Sequence, residues 1–150
     1  MKKLICYAIA MLFAIISAGA QNTAIKKTAI FNNFPTKISC TTNELNRAFT
    51  TTPNQNINLS FSDSFSFRGE VISNIQRYDN LQTTVIKSAE YSDMIFVLSK
   101  VTNKDNSVTY VGHMINRKYA DGYELEKDAQ NNYQLVKIET DKILQDCSQH

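Results

Sequence analysis

The chain has 150 residues, with 16 Lys or Arg side chains against 14 Asp or Glu side chains. This length is typical of a single domain that can bury a hydrophobic core of its own. The nearly balanced charge creates no long-range field that would attract a polyanion, so nucleic acid and anionic membrane surfaces are not expected as partners.

Residues 1–20 have the pattern of a cleavable secretory signal peptide. Two lysines precede an uncharged apolar run from Leu4 to Ile16, and Ala18 and Ala20 supply the small residues of a cleavage site. The alternative is a membrane anchor, which would need about 20 apolar residues. We therefore expect a secreted or periplasmic protein that has no transmembrane helix after cleavage.

Two cysteines remain after cleavage, Cys40 and Cys147. Exported proteins meet oxidising surroundings, so the pair predicts a disulfide. Closing a loop of about 100 residues in this way stabilises a fold by roughly 4–5 kcal/mol in the chain-entropy model. The alternative is a reactive thiol or a metal ligand, which the lack of a CxxC partner or a neighbouring histidine disfavours.

The segment at residues 21–37 is mostly polar, with a few apolar side chains. Pro35 disfavours a helix that continues past Phe34. We expect a lead-in segment, partly helical, that packs Phe31 and Phe34 against a single domain formed by residues 38–150.

A short helix is predicted directly after this segment. Thr41 is a good N-cap residue, and Glu44 completes a capping box three residues later. Leu45, Ala48 and Phe49 form one apolar face at helical spacing. Short helices are marginal in water, so this one is expected to pack on a sheet.

From Asn56 the apolar period changes to two, which indicates β-strands. The first two strands are joined near Ser62–Ser64 or form one kinked strand, and Gly69 marks a bulge or a close backbone approach. Met94–Val101 is the most apolar run of the mature chain and is expected to be a central strand. All the predicted strands cover residues 57–62, 65–71, 81–88, 94–101, 108–116, 123–127 and 133–139.

The turns between these strands are short, and Asp121-Gly122 is a typical turn dipeptide. Strands joined by short turns must be antiparallel. The expected fold class is α+β, with one short N-terminal helix packed on a six- to seven-stranded antiparallel β-meander. A strongly curved or barrel-like sheet would protect the edges of such a meander.

The sequence carries no recognisable catalytic set, and no catalytic residue is predicted. His113 lies in a strand and His150 is the last residue, and there is no G-x-S-x-G motif around which a serine triad would form. Glu124 and Glu126 share one strand face, which is expected to be a solvated outer face rather than a carboxylate pair for glycoside chemistry.

A calcium loop is suggested by the spacing of Asn103, Asp105 and Ser107. Val108 and Met114, however, stand where such a loop needs Gly and Glu. A hairpin turn is therefore favoured, and no metal site and no cofactor are predicted.

The most distinctive local feature is the segment from Tyr119 to Tyr123, where two tyrosines flank a predicted turn. Tyrosine gives a large contact area at a small entropic cost. Tyr119, Asp121 and Tyr123 are therefore candidate binding residues. The alternative is that both rings cover the end of the core.

The leading functional hypothesis is a non-enzymatic exported domain that binds a protein, an envelope component or a small apolar ligand. The alternatives are a secreted hydrolase built around His113 and a structural cell-envelope protein. A cleft that holds His113 beside a carboxylate would favour the enzyme, and an exposed patch around Tyr119 and Tyr123 a protein partner. A small ligand would be favoured by an interior cavity lined by Phe61, Phe65, Phe67 and Phe96.

The signal peptide leads to a first testable prediction. When the chain is expressed with export intact, we expect the mature protein to begin at Gln21, as N-terminal sequencing or intact mass would show. An exported product that still carries Met1 to Ala20 would contradict the assignment.

Overall fold

The computed structural model of the protein describes residues 27–140. The predicted signal peptide, Cys147 and His150 lie outside these residues. The described chain forms one helix and eight strands: β1 (Lys37–Cys40), α1 (Thr42–Thr50), β2 (Asn56–Ser62), β3 (Phe65–Tyr78), β4 (Leu81–Ser88), β5 (Ile95–Thr102), β6 (Val108–Ile115), β7 (Asp121–Lys127) and β8 (Tyr133–Glu139).

The eight strands form a single antiparallel sheet in the order β1-β8-β7-β6-β5-β4-β3-β2. Strands β2 to β8 follow one another as a meander, and β1 adds to β8. The two end strands, β1 and β2, contact each other, so the sheet is nearly barrel-shaped. The predicted α+β meander is confirmed, with eight strands instead of six or seven, and β5 is central as predicted.

Alternating side chains from every strand point into the curved sheet and form the core. Ten of these strand side chains are at most 2% exposed: Leu59, Phe67, Val71, Ile86, Phe96, Leu98, Met114, Tyr123, Leu135 and Ile38. Gly69 lies on this inner side at a point of close approach, because a Cβ there would stand 2.3 Å from the carbonyl oxygen of Lys87. The predicted close backbone approach at Gly69 is confirmed.

The main differences from the sequence prediction lie at the start of the domain, the end of β3 and the start of β7. The predicted boundary between the lead-in and the domain, after Lys37, falls inside β1. In this strand only the side chains of Ile38 and Cys40 are buried. β3 continues to Tyr78, past its predicted end at Val71. The alternating pattern stops at Val71 because a register shift between Val71 and Ser73 breaks the period of two. The assignment of Asp121-Gly122 to a turn is wrong, since these residues begin β7 and the chain reverses at residues 116–120.

Helix α1 begins where the capping pattern predicts it. The Thr41 hydroxyl accepts a hydrogen bond from the backbone N–H of Glu44 at 3.3 Å. The Glu44 carboxylate accepts from Arg47 at 2.8 Å and from the backbone N–H of Ser60 at 3.0 Å. Because β2 pairs only with β3, Glu44 thereby covers a donor on the free edge of the sheet.

The buried face of α1 closes one end of the curved sheet. The side-chain amide of Asn74 donates to the carbonyls of Phe49 and Thr51 at 2.9 and 3.0 Å, and Gln82 also donates to Phe49. The Lys100 ammonium donates to the side chain of Asn46 at 3.0 Å. Helix carbonyls at a C-terminus have no partner within the helix, so Asn74 and Gln82 supply the missing donors there.

The core assignment leads to a second prediction. Phe96 is fully buried, and its ring centroid lies 6.0 Å from that of Phe61 and 5.7 Å from that of Phe67. Replacing it with Ala should lower the free energy of unfolding by about 3–5 kcal/mol in urea denaturation, and Phe49→Ala should do the same from the helix side. The exposed control Ser66→Ala should change it by less than about 0.5 kcal/mol. A loss below about 1 kcal/mol at both phenylalanines would contradict the assignment.

Candidate functional site

The three predicted binding residues lie close together but face the interior. Tyr123 is 0% exposed and Asp121 is 5% exposed, and Tyr119 packs partly buried against the core. They therefore do not form an exposed patch. Their role in binding an outside partner stays a prediction, and what they contact in this structure is the lead-in segment of the same chain.

Asp121 holds two successive backbone donors of that segment. One carboxylate oxygen accepts from the N–H of Ile30 at 2.8 Å and the other from the N–H of Phe31 at 2.9 Å. Beside them, the N–H of Ala120 donates to the carbonyl of Thr28 at 3.1 Å. Hydrogen bonds to an ionised carboxylate are among the stronger ones, so this pair fixes the segment firmly.

The carbonyl groups of the segment are bound from the same side. The Lys137 ammonium donates to the carbonyl of Phe31 and, at 2.8 Å, to that of Phe34. The Tyr123 hydroxyl donates to the carbonyl of Pro35 at 2.7 Å. Burial, with the nearby negative charge of Asp121 as a smaller cause, raises the pKa of Tyr123 to about 12.

The side chain of Phe31 anchors the segment. It is fully buried, and four aromatic rings surround it at centroid distances of 5.0–6.3 Å: Phe34, Phe65, Tyr91 and Tyr123. The predicted packing of Phe31 and Phe34 is confirmed. Residues 27–36 contain turns and a bridge but no helix, so the expectation of a partly helical lead-in is wrong for the part of it that the structure describes.

A second notable surface lies on the outside of the sheet. Five β-branched side chains are partly or largely exposed there on three adjacent strands, and we call them the outer apolar face: Val85, Ile95, Val97, Val111 and Ile115. Four of them are neighbours in the register, since Val85 pairs with Val97 and Ile95 pairs with Ile115, whereas Val111 pairs with Ser99 and lies diagonally from Val97. The outer face of an antiparallel sheet is usually polar, so this row departs from the usual pattern. Ile72, Ile75 and Val108 are further exposed apolar side chains on the strands.

One end of the outer apolar face opens into a groove of about 570 Å³ lined by Asp93, Ile95, His113, Ile115, Asn116, Arg117 and Lys118. The Lys118 ammonium and the Asp93 carboxylate form an ion pair, and Lys118 thereby holds the pKa of Asp93 below its usual value. Arg117 has no ion pair within residues 27–140. The groove therefore combines apolar walls with an uncompensated positive charge.

His113 lies in this groove, as the hydrolase alternative requires, but no carboxylate holds it. It is exposed and stands opposite Val97 and Glu124 in the sheet register. Within the described residues its imidazole has no hydrogen bond, and the Asp93 carboxylate is already paired with Lys118. A general acid or base needs a partner that orients it, which the groove does not supply within residues 27–140.

The remaining sequence candidates are the inner phenylalanines, the Glu124 and Glu126 pair, and the turn around Asp105. The rings of Phe61, Phe65, Phe67 and Phe96 pack against one another. Of the four, Phe61 also lines a groove of about 420 Å³ beside Cys40 and Tyr133. Glu124 and Glu126 are exposed on the outer side of β7. The Asp105 carboxylate accepts from the N–H of Ser107 at 3.0 Å inside the β5–β6 turn, and no group of three His, Cys, Asp or Glu side chains within residues 27–140 could hold a metal ion.

Cys40 is a buried free thiol in this structure. Burial raises its pKa to about 12, and the thiol donates to the carbonyl of Ile38 at 3.6 Å. A thiol with such a high pKa is protonated at neutral pH, which disfavours a nucleophilic role. Its predicted partner Cys147 lies outside the described residues, so the disulfide stays a prediction.

No protein-family model matches this chain, and neither a curated protein nor a solved structure matches it. Within the described part of the chain, no helix has the length and apolar character needed to cross a membrane.

The buried hydroxyl of Tyr123 leads to a third prediction. Its folded pKa of about 12 exceeds the ordinary value of 10, so its contribution to stability is complete below pH 10 and is lost as the pH rises towards 12. Tyr123→Phe removes the bond to Pro35 and should cost about 1 kcal/mol at pH 7. The variant should also lose less stability than the wild type between pH 10 and 12.

Chemical denaturation at a series of pH values measures both effects. Tyr78→Phe is the matched control, because Tyr78 is 71% exposed and should not change the stability at pH 7. If the wild type and Tyr123→Phe lose the same stability between pH 10 and 12, the buried environment assigned to the Tyr123 hydroxyl is wrong.

Proposed function

We propose that this protein is an exported, non-enzymatic domain that binds a partner protein through the outer apolar face. The observation that carries the proposal is the contiguity of Val85, Val97, Ile95 and Ile115 across β4, β5 and β6, with Val111 diagonal to Val97. Single exposed apolar residues are common on protein surfaces, whereas contiguous apolar patches mark interaction sites. The secretory signal pattern supports export.

The charges around this face define the chemistry of the partner. Arg117 lines the groove at one end, and Lys87 stands beside Ile95 in the register. We therefore expect a partner segment that places aliphatic side chains on the strands and an acidic side chain at the groove. Complementary charge of this kind sets the orientation and the rate of association.

A protein partner is favoured over the small apolar ligand because of where apolar surface is available. The inner phenylalanine rings contact one another, so inside the sheet their apolar surface is already used. The outer apolar face extends over three paired strands, and paired strands hold their side chains in place before binding. Such preorganisation lowers the entropic cost of forming an interface.

The fourth prediction tests this face directly. Val97→Asp/Val111→Asp places two charges on outward-facing strand positions, partly exposed at Val97 and exposed at Val111, and should weaken binding of the partner at least about tenfold. The matched control Asn58→Asp/Ser66→Asp places the same two charges on exposed positions of β2 and β3 and should leave binding unchanged. Affinity capture from the native host identifies the partner, and titration of the purified partner measures the affinity.

The proposal requires that one captured protein be lost with the first pair of substitutions and retained with the second. Equal affinity of both double variants for the purified partner would refute it. A measurable turnover that His113→Ala abolishes, while Val97→Asp/Val111→Asp leaves it intact, would replace the binding function with the hydrolase alternative.

A further inference from the structure

We infer that the pocket around Phe31 is a peptide-binding site, which residues 28–35 of the same chain fill in this structure and which the same segment of a second copy can fill. The inference does not depend on the outer apolar face, because none of its five residues contributes a hydrogen bond or a ring to the pocket. It gives the predicted binding residues a ligand of defined chemistry, a peptide that forms a turn from Phe31 to Phe34 and buries the Phe31 ring.

The pocket recognises its occupant mainly through the main chain. Asp121 accepts from two successive N–H groups, while Lys137 and Tyr123 donate to three carbonyl oxygens. The Phe31 ring is the side chain that fills the aromatic cavity. Peptide-recognition sites commonly divide the task in this way, with main-chain bonds providing affinity and a pocket for one side chain providing specificity.

The contacts are made by residues far away in sequence. Ile30 and Asp121 are 91 residues apart, and Phe34 and Lys137 are 103 residues apart. The only covalent connection from the segment into the sheet runs through Thr36 to β1. The Thr36 carbonyl accepts from the N–H of Lys137, so β1 is exchanged together with the segment. A second molecule can present both to the same groups, and exchange of an identical element between copies costs little because every contact is reproduced.

An empty pocket would be unfavourable. Asp121 is a buried carboxylate, and without the two N–H groups it would lose its partners within a low-dielectric surrounding. The Phe31 cavity would at the same time expose three aromatic rings, those of Phe65, Tyr91 and Tyr123. Both effects favour refilling by any peptide that offers two adjacent donors and an aromatic side chain.

The first experiment supplies the segment as a separate peptide. A labelled, end-blocked peptide of residues 27–36 is titrated against the full chain carrying Phe31→Ala, and fluorescence anisotropy is measured. We expect binding to this variant and at least about tenfold weaker binding to the wild type, whose own segment competes at a high effective concentration. The same peptide with Ala in place of Phe31 should bind at least about 100-fold more weakly.

The second experiment tests the second copy as the occupant. A chain with Phe31→Ala has an intact pocket and a defective segment, whereas a chain with Asp121→Asn has the reverse. Native mass spectrometry should show a heterodimer when the two are mixed and only monomers when each is alone. A chain with both substitutions is the control, because it has neither an intact segment nor an intact pocket. Mixed with the Phe31→Ala chain, it should form no heterodimer because neither chain offers an intact segment. Mixed with the Asp121→Asn chain, it should form none because neither chain offers an intact pocket.

Peptide binding that is equal for the wild type and for Phe31→Ala would overturn the site, and so would the absence of binding to a folded Phe31→Ala chain. A peptide that binds without any heterodimer in the mixture would overturn the second copy as occupant. If either substitution prevents folding, Phe31→Leu and Lys137→Met are the milder pair, with the same expected outcomes.

Discussion

The two hydrogen bonds from the lead-in to the Asp121 carboxylate are the interaction on which this architecture depends most. A sheet that curls into a nearly closed shape buries its inner face but leaves two open ends. A segment of the chain must cover each end, and the polar main-chain groups of that segment are then buried. A buried N–H without a partner costs about as much as a lost hydrogen bond. Asp121 resolves this conflict for Ile30 and Phe31, and it allows the Phe31 ring to enter the aromatic cluster.

The opposite end of the sheet follows the same principle with different residues. There α1 supplies the cover, and the amides of Asn74 and Gln82 bind the carbonyl groups at the end of the helix. Glu44 adds a bond to the free edge of β2, where the curved sheet remains open. Inward polar side chains at the strand ends are thus explained by the main chain that lies across each end, while the middle of the sheet is apolar.

Local patterns in the sequence predict much of this fold, but they cannot predict its long-range parts. The period of two predicts seven of the strands and the capping residues predict α1, because both signals lie within a few neighbouring residues. β1 escapes detection because Ile38 and Cys40 are too few to show a period. Asp121-Gly122 looks like a turn, and only the distant partners of Asp121 show that the carboxylate is part of the core. A usable signal did exist for the outer apolar face, since β5 is apolar at both alternating sets of positions, including Ile95 and Val97.

An apolar outer face on a sheet carries the risk that copies stack on one another, and the surrounding charges act against this. Lys87 stands beside Ile95, and Glu124 stands beside His113, so the rows of aliphatic side chains end in charged ones. Charged residues that flank apolar strands oppose self-association because stacking would bury them without partners. A partner whose own charges match those of Lys87, Glu124 and Arg117 avoids that cost. In the proposed binding function, the same side chains that oppose self-association of the outer apolar face also select its partner.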